Sequence, residues 1–516
     1  MPTILEENKR LSESILWQLQ RNFYDEKGVQ AWHGVVPWFI TNNNFIATSF
    51  AKVMVAYVRD CMASQTLDPS QPIHIIELGA GAGRFAYLCL KALRELWPAG
   101  APPLRYVLTD FAQRNVKFWA SHPNFAPYVA EGIVDFARFD AENDKTLTLV
   151  QSKQELTAAN LPNPTIVVAN YLFDTIVQDA FRVENGALME SLVTVLVEEK
   201  PEDPAYFPTI ADVSVRYAYQ PVPNGYYPEP EFNEILHGYA ERLGDTAVSF
   251  PIGAFRCLQN LLALTHDNLL VLTADKGYNN EADLLYQRDP EPVQHGSFSL
   301  SVNFHAIGQY FRQRGGVAWH TVPRETSLAI SAFMGRGQTA DYPTAQHAFE
   351  EYIEAFGPID FFSLQDYPIN PDTPPPLPHL LALLRLSHYD PYYFYTLSNA
   401  IAEQLEDGLT NRLEADFIRT LERVWENHYP MGESRDVAFE IGRHFYKLQR
   451  HSRARTFYEE SLRFYGEHHI TYYNLGLCLY KLGLRPEALT AFQKALELDE
   501  SYSPARSWRV RVEGEL

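Results

Sequence analysis

The sequence has few cysteines and no pattern among them. The four cysteines, Cys61, Cys89, Cys257 and Cys478, are scattered and show no C-x-x-C spacing, which argues against a disulfide framework or a zinc site. The 16 histidines include no H-E-x-x-H motif, so a metallohydrolase has no support. We therefore expect buried thiols and no metal centre.

The sequence also lacks a long hydrophobic run and an excess of positive charge. It has no run of about 18 apolar residues, and the opening residues, MPTILEENKR, hold no basic segment followed by an apolar core. Lysine and arginine total 43 against 64 acidic residues, which gives a net charge of −21. A charge of this sign repels nucleic acids and anionic membranes. We expect a cytoplasmic protein that binds neither.

What the sequence does contain is an ordinary globular composition, with 46% hydrophobic residues over 516 positions, enough for about three domains. One stretch, HIIELGAGAGRFAYLCL at 74–90, dominates it. An apolar run ends in Glu77, then Gly79, Gly81 and Gly83 alternate with small residues before a helical pattern begins. Such a turn lets the backbone approach a nucleotide-like ligand. The spacing differs from the G-x-G-x-x-G fingerprint and disfavours a dinucleotide oxidoreductase.

Acidic residues follow the next two predicted strands. Residues 104–109 form a β-rich run that ends in Asp110, and residues 133–139 form another that ends in Asp140. In a doubly wound sheet, ligands lie outside the carboxyl ends of the strands. Asp110 is therefore placed to accept from ribose hydroxyls, or to cap the next helix. Asp140 is placed to accept from an adenine amine, or is a solvated acid.

Two further strands complete the predicted parallel sheet. Residues 165–169 (TIVVA) precede Asn170 and Asp174, and residues 269–273 lead to Asp275. Five strands at βα spacing with acids at their ends indicate an α/β fold. We expect Asn170 and Asp174 to face the reacting group of the substrate.

Two other segments are expected to cover this edge of the sheet. Asn185-Gly186, between β-rich flanks, predicts a hairpin, and the strand-like sequence that continues to about Phe250 is too long for a simple connection. The N-terminal residues to about 65 are interpreted as two helices, 12–24 and 44–62. The loop between them, Val35 to Phe45, is either a cofactor lid or a packed connection.

Four stretches together resemble the MidA-like family of class I S-adenosylmethionine-dependent methyltransferases. They are ELGAGAGRF at 77–85, VLTD at 107–110, ANYLFDTIVQDAFRV at 169–183, and LTADKGY at 272–278 with SLSVNFHAIG at 299–308. The N-terminal PWFITNNNFIATSFA is similar to that family's segment before the cofactor site. The resemblance covers about residues 30 to 335.

The resemblance implies a Rossmann-like seven-stranded sheet and S-adenosyl-L-methionine as cofactor. It assigns Asp110 to the ribose, and Asn170 and Asp174 to the acceptor, which is an arginine of a partner protein in the best-known relative. The sequence departs from the family in having Tyr171 where an acid is expected and Lys276 in place of a tyrosine. A guanidinium favours paired carboxylates, so the acceptor stays open. The methionine part would be held by Glu77, Gly79, Gly81 and Gly83.

The C-terminal third is predicted to be helical and repetitive. Prolines in YPINPDTPPPLPHL, 367–380, indicate a linker. Beyond it Gly442 and Gly476 are 34 residues apart, as are Tyr458 and Phe492, which is the period of the tetratricopeptide helix pair. Such a stack usually presents a groove for a partner peptide. Bracing of the catalytic domain, or a homodimer, is the structural alternative.

These observations predict four segments: a helical N-terminus and lid (1–65), a methyltransferase domain (66–335, insertion about 178–250), a connection (336–380), and a helical domain (381–516, repeats about 435–516). We expect a methyltransferase that acts on a protein side chain, with the repeats recruiting the substrate or an assembly partner. Two alternatives remain: a non-catalytic assembly or scaffold protein with a degenerate methyltransferase fold, and a small-molecule methyltransferase.

Overall fold

A computed structural model describes residues 2–32, 39–197, 208–294, 297–324, 328–365, 370, 373–405 and 408–516. These fall into two compact units, Met1–Asp360 and Phe361–Leu516. No helix within the described ranges is long and apolar enough to span a membrane. The strands are β1 Thr3–Arg10, β2 Ile73–Leu78, β3 Leu104–Asp110, β4 Val134–Arg138, β5 Leu147–Thr148, β6 Glu155–Leu156, β7 Thr165–Asn170, β8 Asp179–Glu184, β9 Ala187–Val197, β10 Val213–Pro221, β11 Thr246–Phe250, β12 Leu269–Asp275, β13 Gly277–Tyr278, β14 Val293–Gln294, β15 Phe298–Ser299, β16 Val302–Asn303, β17 Val317–His320 and β18 Ala329–Met334.

Helices account for most of the remaining described chain. Short 3-10 turns link several of them, and a π-helical turn follows α9 at Glu350–Ala355. The α-helices are α1 Ile15–Lys27, α2 Asn44–Ala63, α3 Arg84–Leu96, α4 Gln113–Ser121, α5 Ala126–Ala130, α6 Pro230–Arg242, α7 Ile252–Thr265, α8 Phe304–Gln313, α9 Pro343–Phe349, α10 Pro358–Gln365, α11 Leu377–Leu386, α12 Pro391–Glu403, α13 Asn411–Glu426, α14 Val437–Lys447, α15 His451–Tyr465, α16 His469–Lys481, α17 Arg485–Leu498 and α18 Ser503–Glu515.

The centre of the first unit is a seven-stranded sheet in the order β17-β18-β12-β7-β2-β3-β4. The five predicted strands β2, β3, β4, β7 and β12 are parallel, and β18 runs antiparallel to both of its neighbours. The parallel strands read as continuous apolar runs because both faces of the sheet are covered. The α/β class and the seven-stranded sheet predicted from the sequence are confirmed.

A second, antiparallel sheet is built from the predicted insertion together with the N-terminal strand β1. Its order is β1-β9-β8-β11, with β10 also paired to β9. The hairpin at Asn185-Gly186 is present: Glu184 pairs with Ala187, and both turn residues have positive φ, 50° and 75°. This matches the mirror-image turn that the Asn-Gly pair favours.

The N-terminus differs from its helical prediction. Thr3–Arg10 is a strand that pairs with β9, and the first helix begins only at Ile15. α1 packs on the inserted sheet through Leu16 and Trp17, in one apolar cluster with Val193. The predicted lid falls partly on residues 35–38, which lie outside the described residues. Its described end caps α2, because the Asn43 side chain accepts from two backbone N–H groups at 2.9 and 3.1 Å.

The second unit consists of helices from α11 onward, in line with the helical prediction. In the pair α16–α17, a Cβ added at Gly476 would lie 2.7 Å from Cε1 of Phe492. In α14–α15, a Cβ at Gly442 would lie 2.9 Å from Cε1 of Tyr458. The residues that recur at a spacing of 34 are thus small ones facing large rings. Each glycine lets its helix approach the next one closely.

Candidate functional site

The glycine turn between β2 and α3 is the base of the site. Gly79, Gly81 and Gly83 all have positive φ, at 60°, 53° and 76°, a region in which side-chain-bearing residues are strained. A Cβ at Gly79 would also lie 3.1 Å from a methyl group of Leu172. The turn therefore needs glycine, and it passes into α3 at Arg84. Because three of its positions lack a Cβ atom, its backbone forms a cradle that a ligand can approach closely at the start of a helix.

Asp110 ties this turn to the next strand. Its Oδ2 accepts from the Gly81 N–H at 3.2 Å and from Asn115 Nδ2 at 2.9 Å, and its Oδ1 accepts from the Ala112 N–H at 2.9 Å. Burial raises the pKa of Asp110, and these hydrogen bonds oppose that rise. The structure thus brings Asp110 to the glycine turn. The N-cap of α4 is Ala112, two residues further on, so Asp110 does not itself cap the helix.

Glu77 lies beneath the turn. It is 4% exposed, and the hydroxyl of Tyr106 on β3 donates to its Oε2 at 2.6 Å. Burial raises the pKa of Glu77 to about 8, although the bond from Tyr106 acts in the opposite direction. A carboxyl group in this position is mostly protonated at neutral pH. No feature of the sequence pointed to Tyr106 as its partner.

A cavity opens at the carboxyl ends of β2, β3, β4 and β7. The predicted residues Gly79 and Asp140 are in its wall, and helix α1 forms part of the wall as well. This contribution from α1 could not be predicted from the sequence, because Arg21 and Asp140 are more than a hundred positions apart. The cavity is lined by Gln20, Arg21, Tyr24, Leu78, Gly79, Thr109, Phe111, Phe139, Asp140, Ala141, Glu142, Leu172, Thr175 and Ile176.

Asp140 is paired with Arg21 of α1. Arg21 Nη2 donates to Asp140 Oδ2 at 2.6 Å, its Nη1 donates to Glu142 Oε2 at 2.9 Å, and its guanidinium lies 4.7 Å from the centroid of the Phe111 ring. Burial disfavours the charged form of Asp140, but the bonds from Arg21 and Asn143 outweigh it and lower the pKa. Asp140 is thus an ionised, paired carboxylate and not a solvated acid.

The ends of β7 and β12 bring a further carboxyl pair together. The Asp174 N–H donates to Asp275 Oδ2 at 3.1 Å, and the two side chains are 5% and 0% exposed. Asn170 Oδ1 accepts from the Ala274 N–H at 3.1 Å. Asn170 Nδ2 and Asp174 Oδ1 have no hydrogen-bond partner among the described residues. Polar atoms left in this state at the edge of a sheet are able to bond a ligand.

Residues 56–282 match a protein family described as "Putative S-adenosyl-L-methionine-dependent methyltransferase". This segment contains the glycine turn, Asp110, Asp140 and the carboxyl pair. The part of the chain that holds these residues thus matches a methyltransferase family. The resemblance to MidA-like proteins is thereby confirmed, and the cofactor of the family is S-adenosyl-L-methionine. Residues 469–502, which span α16 and α17, match the tetratricopeptide repeat.

Solved structures with a similar course of the chain include two from Burkholderia thailandensis. One is an uncharacterised protein (15% identity, 64% of this chain, 94% of that chain, TM-score 0.36). The other is a methyltransferase-like protein bound to S-adenosyl-homocysteine (14%, 65%, 96%, 0.36). A third is the complex of DhpI with the same ligand (8%, 63%, 98%, 0.25). At these TM-scores the matches do not define equivalent residues. No curated protein matches the chain significantly.

The residues at this edge of the sheet fit S-adenosyl-L-methionine on the structure's own terms. The glycine cradle can approach a ligand closely, Phe111 presents an aromatic ring in the cavity, and Asp174 keeps a buried oxygen without a partner in the described chain. The predicted residues Asp110 and Gly81 meet directly, and Asn170 and Asp174 lie together at the end of β7. Arg21 and the pairing of Asp174 with Asp275 had not been predicted.

Tyr171, which follows β7, has an unusual backbone. It has a φ of 49°, which a bulky residue seldom adopts, and its N–H donates to the Ala274 carbonyl at 3.0 Å. Such strain costs about 1–2 kcal/mol and persists where the surroundings impose it, often at functional sites. The tyrosine where the family has an acid is therefore held in a fixed turn between β7 and the carboxyl pair.

Proposed function

We propose that this methyltransferase transfers a methyl group to a side chain of a protein, at the carboxyl ends of β7 and β12. The observation that supports this most directly is Asp174. Its carboxyl group is buried, its Oδ1 has no partner in the described chain, and it follows Leu172, which contacts the glycine turn. A base in this position lies between the cofactor turn and the strand end where an acceptor would enter.

The cofactor would be held by residues of the first three parallel strands. We assign Glu77, Gly79, Gly81 and Gly83 to its methionine part, with Glu77 acting from beneath the turn. Asp110 would accept from the ribose at the carboxyl group that contacts the Gly81 N–H. Asp140 would accept from the adenine amine. Arg21 now uses two of the positions at which Asp140 can accept, so adenine binding at Asp140 requires Arg21 to move aside.

The cofactor, when bound, supplies an electrophilic methyl group on a sulfonium centre. The residues of this chain do the rest: they align the acceptor with that methyl group, which provides much of the rate acceleration, and Asp174 takes the proton that the acceptor loses. Asn170 Nδ2 is free among the described residues to donate to the acceptor. Arginine is one candidate acceptor, with Asp174 and Asp275 as the carboxyl groups that would orient it.

We assign recruitment of the substrate or an assembly partner to the helical unit. Its support is the tetratricopeptide match at 469–502 and the close approach of α16 and α17 at Gly476 and Phe492. Helical repeats of this type bury a shared core and present a continuous surface for a partner peptide. A homodimer through the same surface is the alternative outcome.

One observation favours a second candidate, a non-catalytic assembly factor. Tyr171 occupies the position at which an acid would help to hold a guanidinium. Its backbone is held in a strained turn, so its place next to the carboxyl pair is fixed. A protein that binds the cofactor but methylates no protein would fit this candidate. A small-molecule acceptor would instead give turnover without labelled protein.

The test of cofactor binding is calorimetric titration of the full chain with S-adenosylmethionine and S-adenosylhomocysteine. Gly81→Arg fills the cradle, and Asp110→Asn places an amide donor against the Gly81 N–H. We expect micromolar binding in the parent protein and none in either variant. Asp135→Asn is the matched control, because Asp135 is equally buried and accepts from the N–H groups of Gln151 and Ser152. Absence of binding by the parent protein would contradict the proposal.

The acceptor class is tested with S-adenosylmethionine that carries a radioactive methyl group. Labelled protein in an extract treated with the parent enzyme, and no label with Asp174→Asn, would support a protein acceptor. Label found only in small molecules would favour a small-molecule methyltransferase. Cofactor binding with no labelled product of any kind would favour the assembly factor.

A further inference from the structure

Asp275 is the last residue of β12, and Asp174 follows the adjacent parallel strand β7. The two residues lie next to each other at the carboxyl ends of these strands. The Asp174 N–H donates to Asp275 Oδ2 at 3.1 Å, and the Lys276 N–H donates to Asp275 Oδ1 at 2.8 Å. The Leu300 N–H donates to the Asp174 carbonyl at 3.0 Å. Backbone bonds therefore fix both residues. Asp174 Oδ1 stays buried without a partner in the described chain, so the pair can still accept one more bond.

Two carboxyl groups in contact and away from water cannot both carry a charge at little cost. Burial raises the pKa of Asp174, and burial together with the charge of Asp174 raises the pKa of Asp275. The pair then titrates as one unit. Unless a cation other than Lys276 lies beside it, the pair keeps a proton at neutral pH.

The charged and titratable groups around the pair come from three elements. Lys276 follows β12, and its positive charge favours the ionised form of Asp174. Tyr171, after β7, and Tyr24, on α1, both have a raised pKa, first through burial and then through the charges of the pair. Both tyrosines are therefore neutral. Asp110 also acts on Tyr24, and Arg21, on the same helix, is already paired with Asp140 and Glu142. The carboxylate charge on this side of the cavity therefore exceeds the positive charge.

We propose that Asp174 and Asp275 share one proton when S-adenosylhomocysteine is bound, and release it when S-adenosylmethionine binds. The two ligands differ by one methyl group and by the positive charge of the sulfonium. That charge replaces the proton as the counter-charge of the pair. The inference rests on the proposed function, because it requires the cofactor in the cavity that Tyr24 lines.

The proton balance links the cofactor to the reaction. When S-adenosylmethionine binds, a carboxyl O–H bond of the pair breaks and the proton leaves to solvent. In the transfer, the acceptor's lone pair forms the new bond to the methyl carbon, and the electrons of the carbon–sulfur bond go to sulfur. The acceptor's proton goes to Asp174, which restores the singly protonated pair. The acceptor is therefore a nucleophile that has a proton to lose, such as a nitrogen, and not a carboxylate.

The test is the number of protons exchanged on binding. Calorimetric titration in phosphate and in imidazole buffer near neutral pH yields this number from the dependence of the binding heat on the buffer. We expect release of roughly one proton with S-adenosylmethionine and none with S-adenosylhomocysteine. The affinity for S-adenosylmethionine, divided by that for S-adenosylhomocysteine, should increase by up to about tenfold for each unit by which the pH is raised. Equal proton numbers for the two ligands would overturn the proposal.

Variants separate this linkage from other ionisable groups. Asp275→Asn removes the shared proton and should abolish the release specific to S-adenosylmethionine, with S-adenosylhomocysteine binding kept. Asp135→Asn should leave the release unchanged. Release that persists in Asp275→Asn would also overturn the proposal. If that variant fails to fold, the proton difference and pH dependence of the parent protein decide. If the parent binds neither ligand, the proposed function itself fails.

Discussion

Single buried carboxyl groups carry much of the chemistry at this sheet edge, and Glu77 illustrates how burial governs their charge. Its neighbour in the structure is the Tyr106 hydroxyl, which can donate equally well to a carboxyl or to an amide oxygen. The charge is therefore separable from the hydrogen bond. Replacing Glu77 by glutamine keeps the shape of the side chain and removes its ionisable group. The change therefore measures the free-energy cost of ionising Glu77 in the folded chain.

Glu77→Gln should flatten the pH dependence of stability. The pKa of Glu77 rises from 4.5 to about 8 on folding, so the folded chain holds a proton that the unfolded chain loses. Stability of the parent protein then falls as pH rises through this window, by about 1.4 kcal/mol per pH unit at most. We expect the variant to gain stability relative to the parent between pH 5 and pH 8.5.

The measurement is the free energy of unfolding by urea at both pH values. Glu95→Gln is the control, because Glu95 lies at the exposed end of α3. Its variant should follow the pH dependence of the parent protein. Parallel curves for Glu77→Gln and the parent would show that Glu77 is ionised throughout and would contradict this account.

At the scale of elements, helix α1 joins the inserted sheet to the cofactor cavity. Its apolar side packs through Leu16 and Trp17, and its polar side presents Arg21 to Asp140 and Glu142. The apolar contacts hold the helix, while the Arg21 ion pairs set which way it faces the cavity. The N-terminal region is thus an integral part of the site's wall.

Arg21→Ala should loosen α1 without unfolding the domain. Removal of the guanidinium leaves Asp140 and Glu142 without their cation and frees the face of Phe111. We expect faster hydrogen exchange of the backbone amides of α1, with unchanged exchange in β2 and β7. Lys27→Ala, at the exposed end of the same helix, is the control. Identical exchange in the two variants would show that the ion pairs contribute nothing to the docking of α1.

Local patterns predicted the elements that depend on neighbours in the chain. The β2–turn–α3 unit follows from the glycine spacing, and the hairpin follows from Asn185-Gly186, because both are decided by backbone conformations of a few residues. Thr3–Arg10 was missed because its strand pairs with β9, far along the chain. The carboxyl pair and Arg21 were missed for the same reason. The sequence position of a residue at a strand end predicts which edge of the sheet it lies on. It does not predict which other side chains it contacts.

The repeat helices offer a second test at this scale. Gly476→Ala adds a Cβ 2.7 Å from the Phe492 ring. The resulting overpacking should lower the free energy of unfolding by about 1–3 kcal/mol. This loss should exceed the stability gained from the higher helix propensity of alanine. Gly514→Ala in α18 adds a Cβ with no atom within 4 Å. We expect chemical denaturation to show lower stability for the first variant and equal or higher stability for the second. Equal effects would contradict the packing assignment.

At the scale of the whole molecule, the chain holds two units, each with its own buried apolar core. The first is organised around the seven-stranded sheet, and the second around helices whose buried residues include Phe394, Leu421 and Phe445. The net charge of −21 applies to the full chain and agrees with a substrate other than nucleic acid, which stays a prediction. The separation of cores suggests that binding of the cofactor and packing of the repeats can be perturbed one at a time.

A calorimetric melting scan of the full chain should therefore show two transitions that respond to different changes. S-Adenosylhomocysteine at a hundredfold excess over its Kd stabilises the folded state by about 2.7 kcal/mol, and we expect it to raise only the transition of Met1–Asp360. Gly476→Ala should lower only the other transition, since its contact with Phe492 lies within the helical unit. The Gly514→Ala variant is the control, and we expect both of its transitions to lie at or above those of the parent protein. A single transition, moved by the ligand and by Gly476→Ala alike, would mean that the two cores unfold together, and methyl transfer would then depend on the integrity of the repeats.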